Sequence, residues 1–298
     1  MTIEQLNSDY GLSQQLTFGE GPGGFPLVEV NNGLAKATIS LYGGQILAFQ
    51  PAAAAPVLFL SPCAYYAPGK AIKGGAPVCW PWFGPDPEGK GRPAHGFVRN
   101  RLWRVIRTET LTSGETQVVL GLNDSEETRA IWNHGFELAI AFTIGTRLQI
   151  ELTTRNTGDT AFTITQALHT YFAIGDIGQV GIQGLDGTQY LDKVDSGAEK
   201  AQTGTLDIAQ EVDRIYLDVP PSLVIDDAAL GRCIKIDSVG SKTAVVWNPW
   251  AAISASSGDL EDGAYQQFVC VETVNAANEV VEVAAGADYK LGATYSIT

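Results

Sequence analysis

Histidine is scarce in this chain: His95, His134 and His169 are the whole supply, and no two of them form an H-x-H or H-x-x-x-H pair. A centre built from histidine would need all three, so a cupin-like or zincin-like metal site is not expected. Cysteine is nearly as sparse. Cys63, Cys79, Cys233 and Cys270 make no C-x-x-C pair, which argues against a zinc site and a disulfide scaffold and fits buried thiols in a reducing, cytoplasmic compartment. Long apolar runs are missing. Even "PAAAAPVLFL" is short and interrupted by Pro51 and Pro56, so no membrane span is expected. The opening "MTIEQLNSDYGLS" has neither the basic region nor the apolar core of a secretory signal. Positive charge is also short, at 19 Lys and Arg against 33 Asp and Glu, and the resulting net charge of −14 disfavours nucleic acid and anionic membranes as partners.

What the chain has in quantity is period-2 alternation. "FELAIAFTI" sets Phe136, Leu138, Ile140, Phe142 and Ile144 on one face, and "RLQIELTTRN" sets Leu148, Ile150 and Leu152 opposite Gln149, Glu151 and Thr153. The two runs meet at Gly145, Thr146 and Arg147 as in a hairpin. Comparable runs recur along the chain, among them "LAKATISL", "TAFTITQALHTYF", "VDRIYLDV", "TAVVWN" and "FVCVETV". Helix-like pieces are confined to the neighbourhoods of Ser125 to Trp132 and Gly258 to Gln267. The expectation is an all-β protein, one large sandwich with both sheets long, forming a single domain over 1–298. Gly84 to Pro93 and Asp195 to Gly204 read as surface loops.

Against this acidic background one segment is basic. Lys70, Lys73, Lys90, Arg92, Arg99, Arg101, Arg104 and Arg107 face only Asp86 and Glu88 within residues 70–107, a concentration suited to one small anion. "GPDPEGKG" satisfies G-x-x-x-x-G-K, but Gly91 follows where Ser or Thr would hold magnesium, and Pro85 and Pro87 remove two backbone donors, so it is not a nucleotide loop. His134 in "WNHGF" reads as a loop histidine. In "TAFTITQALH" the alternation places Thr163, Thr165, Ala167 and His169 together on a small, polar face, which fits a catalytic histidine in a cleft and a structural one equally. Glu272, among the apolar residues of "FVCVETV", fits either a desolvated general base or an edge-strand glutamate turned to solvent. Asp192 in "YLDKVD" suits sugar hydroxyls or pairing with Lys193. Trp80, Trp82, Phe83, Trp247 and Trp250 suit stacking on a sugar or burial in a core.

Six blocks in order, "IKGGAPVCWPWFG", "AHGFVRN", "ALHTYF", "YLDKV", "VVWNPW" and "FVCVETVNA", covering residues 71–276, closely resemble the D-hexose-6-phosphate mutarotases (glucose-6-phosphate 1-epimerases) of the aldose 1-epimerase, galactose-mutarotase-like superfamily. The resemblance implies a large antiparallel β-sandwich with its site in a cleft on one sheet. It implies that His169 is the general acid and Glu272 the general base, that His95 and Asp192 bind sugar oxygens, and that Arg99 holds the phosphate of a hexose 6-phosphate. Lys73 stands where the family usually has arginine, keeping the charge but losing the bidentate fork. The close backbone approach that Gly74 and Gly75 permit is expected to serve the phosphate end.

Mutarotation by this route needs neither metal nor redox cofactor, because acid-base ring opening to the aldehyde and reclosure suffice. A monomer is expected. Two rival readings share the residues: an aldose 1-epimerase for unphosphorylated sugars, disfavoured by the basic segment, and a non-catalytic sugar-phosphate-binding protein, disfavoured by the presence of both His169 and Glu272. A glycosidase would need two carboxylates about the scissile bond, and only one suspicious glutamate is present.

Overall fold

A computed structural model describes residues 1–298. Two large antiparallel sheets, of eight and nine strands, face one another, and a four-stranded sheet from residues 16–51 and a two-stranded pair complete the architecture. The nine-stranded sheet contains the alternating runs read above. Phe136–Ile144 pairs with Leu148–Asn156 from Phe136 opposite Asn156 to Ile144 opposite Leu148, closed by a Gly145 N–H bond to the Arg147 carbonyl. Phe136, Ile140, Phe142, Ile144, Leu148, Ile150 and Leu152 are fully buried, so the apolar parity of these strands is what fastens this sheet to its neighbour. Across the interface the Trp80 indole donates to Thr154 Oγ1 at 3.1 Å, and the Phe172 and Tyr295 rings meet edge to face at 4.9 Å.

The eight-stranded sheet carries the site. Its interior strand, Phe268–Asn275, lies between Thr243–Asn248 on one side and the short strands Gln166–Leu168 and Tyr171–Ala173 on the other. "TAFTITQALHTYF" is therefore not one strand. Phe162–Ile164 pairs with Val281–Val283 in the small sheet, and the chain then crosses into the large one. At His169 and Thr170 the ladder breaks, and the His169 N–H turns to the Pro77 carbonyl at 2.9 Å.

Helices are few. Glu126–Ile131 forms where expected, capped by Ser125. Around Gly258 to Gln267 only a 3₁₀ turn at Ala264–Gln266 appears, preceded by an unforeseen helix at Trp250–Ser256. A further helix, Ile3–Tyr10, rests on a Thr2–Gln5 capping box that hydrophobic periodicity alone does not reveal. Gly84 to Pro93 is a loop organised by Asp86, whose carboxylate accepts N–H bonds from Glu88, Lys90 and Arg92. Asp195 to Gly204, by contrast, contains the edge strand Ala198–Ala201. No helix is long and apolar enough to cross a membrane.

Candidate active site

Strand register assembles the site before any side chain is considered. Asp213 pairs with Trp247 and Trp247 with Cys270, and Cys270 pairs in turn with Tyr171. One row along the same face, Ile215 pairs with Val245 and Val245 with Glu272, and the next position is the ladder break at His169. Residues paired across an antiparallel ladder project to one face, so this face gathers Asp213, Trp247, Glu272 and His169. They line a cleft of about 540 Å³ with Lys73, His95, Arg99 and Lys193. A groove of similar size, about 510 Å³, crosses the four-stranded sheet but holds no comparable pairing of acid and base.

Glu272 is 2% exposed, on a strand whose eight residues are all buried, which removes the solvent-facing edge-strand alternative. Its Oε1 lies 3.4 Å from His169 Nδ1, while Glu272 Oε2 and His169 Nδ1 have no hydrogen-bond partner. Burial pushes the Glu272 carboxyl well above its ordinary range, with Asp213 adding to the rise. Burial first, then His95, Arg99 and Lys73 nearby, push His169 well below its own. The ring is held flat against Tyr171, centroids 5.0 Å apart and 9° between planes, and edge-on to Trp247.

His95 is a second, different histidine. Its Nδ1 accepts the Gly84 N–H at 3.2 Å, and burial together with Arg99 and Lys73 lowers its pKa to about 4. A neutral ring accepting at Nδ1 carries its proton on Nε2, so His95 offers a fixed donor to the cleft. Arg99 lies in a 3₁₀ turn, with one Nη donating to the Ala94 carbonyl at 3.0 Å and a buried Nε without a partner. Lys73 sits 5.9 Å from the centre of the Trp247 ring and 3.5 Å from the Asp259 carboxylate.

Asp192 does not join them. It pairs with Arg214 in the ladder, on the face opposite Asp213, and Lys200 Nζ holds its carboxylate at 2.9 Å. The neighbouring side chains Lys193 and Asp213 line the cleft instead. Asp213 carries the same signal as Glu272, an acid after an apolar residue in a strand, and burial likewise raises its pKa. Lys193 has no comparable signal, because only the sheet order brings the turn after Gln189–Asp192 to the cleft.

The basic segment also disperses on folding. Arg92 is held by Asp86 and Glu88 and stacks on Trp82, Arg101 pairs with Glu127, Arg107 with Glu109 and Lys90 with Glu88. Of the eight cations only Lys73 and Arg99 line the cleft. Gly74 and Gly75 serve the chain rather than an anion: a Cβ at Gly74 would meet Leu60 Cα at 2.6 Å, and one at Gly75 would meet the Ile46 carbonyl at 2.1 Å. Trp80 and Trp82 are core, Trp250 packs on Tyr265, and Phe83 and Trp247 remain in the cleft. His134 lies away from it, against Trp132.

The sequence profile of the aldose 1-epimerase family matches residues 26–296, nearly the whole chain. The chain belongs to the aldose 1-epimerase family. Within that family it is 39% identical over 252 residues to an Escherichia coli protein provisionally named glucose-6-phosphate 1-epimerase, covering 84% of this chain and 83% of the relative. A plant protein from Cenchrus ciliaris with the same provisional name is 34% identical, over 83% and 80% of the two chains. The crystal structure of YeaD from Salmonella typhimurium, provisionally named a mutarotase, superposes with a TM-score of 0.90 at 33% identity, over 99% of both chains. This aldose 1-epimerase family member thus has the antiparallel β-sandwich that the six sequence blocks implied.

Proposed function

We propose that this protein interconverts the α and β anomers of hexose 6-phosphates, glucose 6-phosphate foremost, acting as a cytoplasmic monomer with one domain over 1–298. The observation that carries the reading is the 3.4 Å contact between Glu272 and His169 on the floor of a cleft that also presents Lys73 and Arg99. The names of its relatives point the same way.

Ionised Glu272 takes the proton of the anomeric hydroxyl while the His169 imidazolium gives one to the ring oxygen. The bond from the anomeric carbon to the ring oxygen breaks, leaving an open-chain aldehyde. Rotation about the adjacent carbon–carbon bond presents the other carbonyl face, and reclosure with the proton transfers reversed gives the other anomer. Burial favours the neutral carboxyl and neutral imidazole in the empty cleft. That state and the carboxylate–imidazolium state hold the same number of protons, so one transfer within the pair converts resting into working form. A phosphate dianion beside Lys73 and Arg99 offsets the positive charge that depresses His169, and so favours the imidazolium. His95 Nε2 and Asp213 supply hydrogen bonds to the sugar, and Trp247 offers it an apolar surface.

The test is the ratio of kcat/KM for glucose 6-phosphate to that for glucose, followed by anomer-resolved NMR or polarimetry at fixed ionic strength. The ratio is expected to favour the phosphate and to fall by about one to two decades in Arg99→Ala, the loss of a charge-assisted bond worth roughly 1.5–3 kcal/mol. An unchanged ratio would move the assignment to unphosphorylated aldoses.

A further inference from the structure

The tertiary structure brings together what the sequence disperses. A His169 ring nitrogen, Cys270 Sγ and a Glu272 carboxylate oxygen all lie within 4.8 Å of one another. Cys270 and Glu272 are two apart on one strand and therefore share one side of it, Glu272 lining the cleft and Cys270 fully buried beside it. Hydrogen bonding leaves the group uncommitted, since both His169 Nδ1 and Glu272 Oε2 lack a partner although Glu272 is 2% exposed.

We propose that His169, Cys270 and Glu272 form a three-ligand site for a thiophilic divalent cation of the zinc type, and that its occupation shuts the enzyme off. The proposal rests on the acid-base assignment above, because the metal takes the lone pairs with which both groups would move protons. One nitrogen, one sulfur and one oxygen suit tetrahedral Zn²⁺ or Cd²⁺, whereas Mg²⁺ and Ca²⁺ require oxygen-rich shells. The fourth position opens to the cleft, where the anomeric oxygen would sit, so metal and sugar compete.

Charge balance explains why the thiol matters. Binding releases the thiol proton and the proton shared by His169 and Glu272, and the dication with one carboxylate, one thiolate and a neutral imidazole is again neutral. With only the carboxylate ionised, the dication would add net positive charge beside Lys73 and Arg99, which already face the cleft. Without a cysteine here the site therefore loses both a ligand and its neutrality.

The experiment uses the full chain, stripped of metal by chelation and titrated with Cd²⁺, reading the ultraviolet thiolate-to-cadmium charge-transfer band. The band is expected to saturate in the wild type and in Cys63→Ser, which removes the exposed thiol, and to vanish in Cys270→Ala. In parallel, Zn²⁺ should inhibit mutarotation competitively. Its inhibition constant, measured against each variant's own uninhibited rate, should rise at least about tenfold in Cys270→Ala. Cys270→Ser, which keeps the side-chain size, covers the case in which alanine disturbs folding, and it too should lose the cadmium band. A band that persists without Cys270, or equal zinc sensitivity in the wild type and the Cys270 variants, would overturn the proposal. The cadmium band does not depend on turnover, so a protein that bound Cd²⁺ through Cys270 but did not interconvert anomers would refute the functional reading and leave the metal site standing.

Discussion

Glu272 is a costly residue for a folded chain, because it is buried as the neutral acid that water disfavours at neutral pH, whereas the neutral imidazole of His169 is disfavoured in water only below that group's ordinary value. Glu272→Gln keeps shape and volume, and His169→Asn leaves a neutral amide that cannot act as the acid, so each should remove most of the mutarotase activity, with far-ultraviolet circular dichroism unchanged. Near-wild-type turnover in either variant would refute the acid-base assignment. Stability should respond differently. The native pair holds one proton; the unfolded chain holds the same number between about pH 4.5 and 6.5, the ordinary values of the two groups. Their contribution is then flat in that window. Above 6.5 the unfolded pair has lost both protons, and below 4.5 it has gained a second, so until the native groups themselves titrate, stability falls on either side by about 1.4 kcal/mol per pH unit. In Glu272→Gln the alkaline decline from this pair disappears, because native and unfolded histidine are both neutral there. Melting temperatures of wild type and variant between pH 6.5 and 8.5 should diverge accordingly, and parallel curves would contradict the raised Glu272 pKa.

At the scale of the element, the site depends on one strand that stays regular and one that breaks. Phe268–Asn275 presents Cys270 and Glu272 by simple alternation, whereas His169 reaches the pair because its ladder stops between Leu168 and Tyr171. The segment after the Trp250–Ser256 helix adds a second control. Its Asp259 carboxylate lies 3.5 Å from Lys73 Nζ, and its backbone is anchored by Ser61 Oγ donating to the Asp259 carbonyl at 2.7 Å. On the proposed reading, that carboxylate would compete with a phosphate for the ammonium. Asp259→Asn should lower KM for glucose 6-phosphate a few-fold, in keeping with about 1 kcal/mol or less for a partly exposed pair, and leave KM for glucose where it was. An equal change for both sugars would show that Asp259 shapes the cleft generally rather than screening Lys73.

Over the whole molecule, a chain of net charge −14 receives an anionic substrate. Local cations must therefore overcome a repulsive surface, and two of them come from a basic segment whose other members are largely spent on neighbouring acids. Catalysis by proton transfer alone should survive exhaustive chelation, and chelation of a preparation carrying trace zinc should raise the rate. A loss of activity restored only by added metal would overturn the mechanism.

The sequence by itself determined the layers and marked Glu272 and His169 as candidates. Strand parity is a local property, set by which face of each run is apolar, so Phe136–Ile144 and Leu148–Asn156 were legible, as were Glu272 in its apolar run and His169 in its block. The tertiary structure decided which side of the sheet each polar residue serves and who its neighbours are. Asp192 and Asp213 are both acids in short strands, but antiparallel pairing turns the first toward Lys200 and the second into the cleft. Arg92 and Arg99 are cations of one segment, and only folding gives Asp86 to the first and sets the second in the wall of the cleft. The nearness of Cys270, Glu272 and His169 likewise follows from a register between strands about a hundred residues apart in sequence, which no local pattern encodes because hydrogen bonding between strands is indifferent to the side chains it aligns.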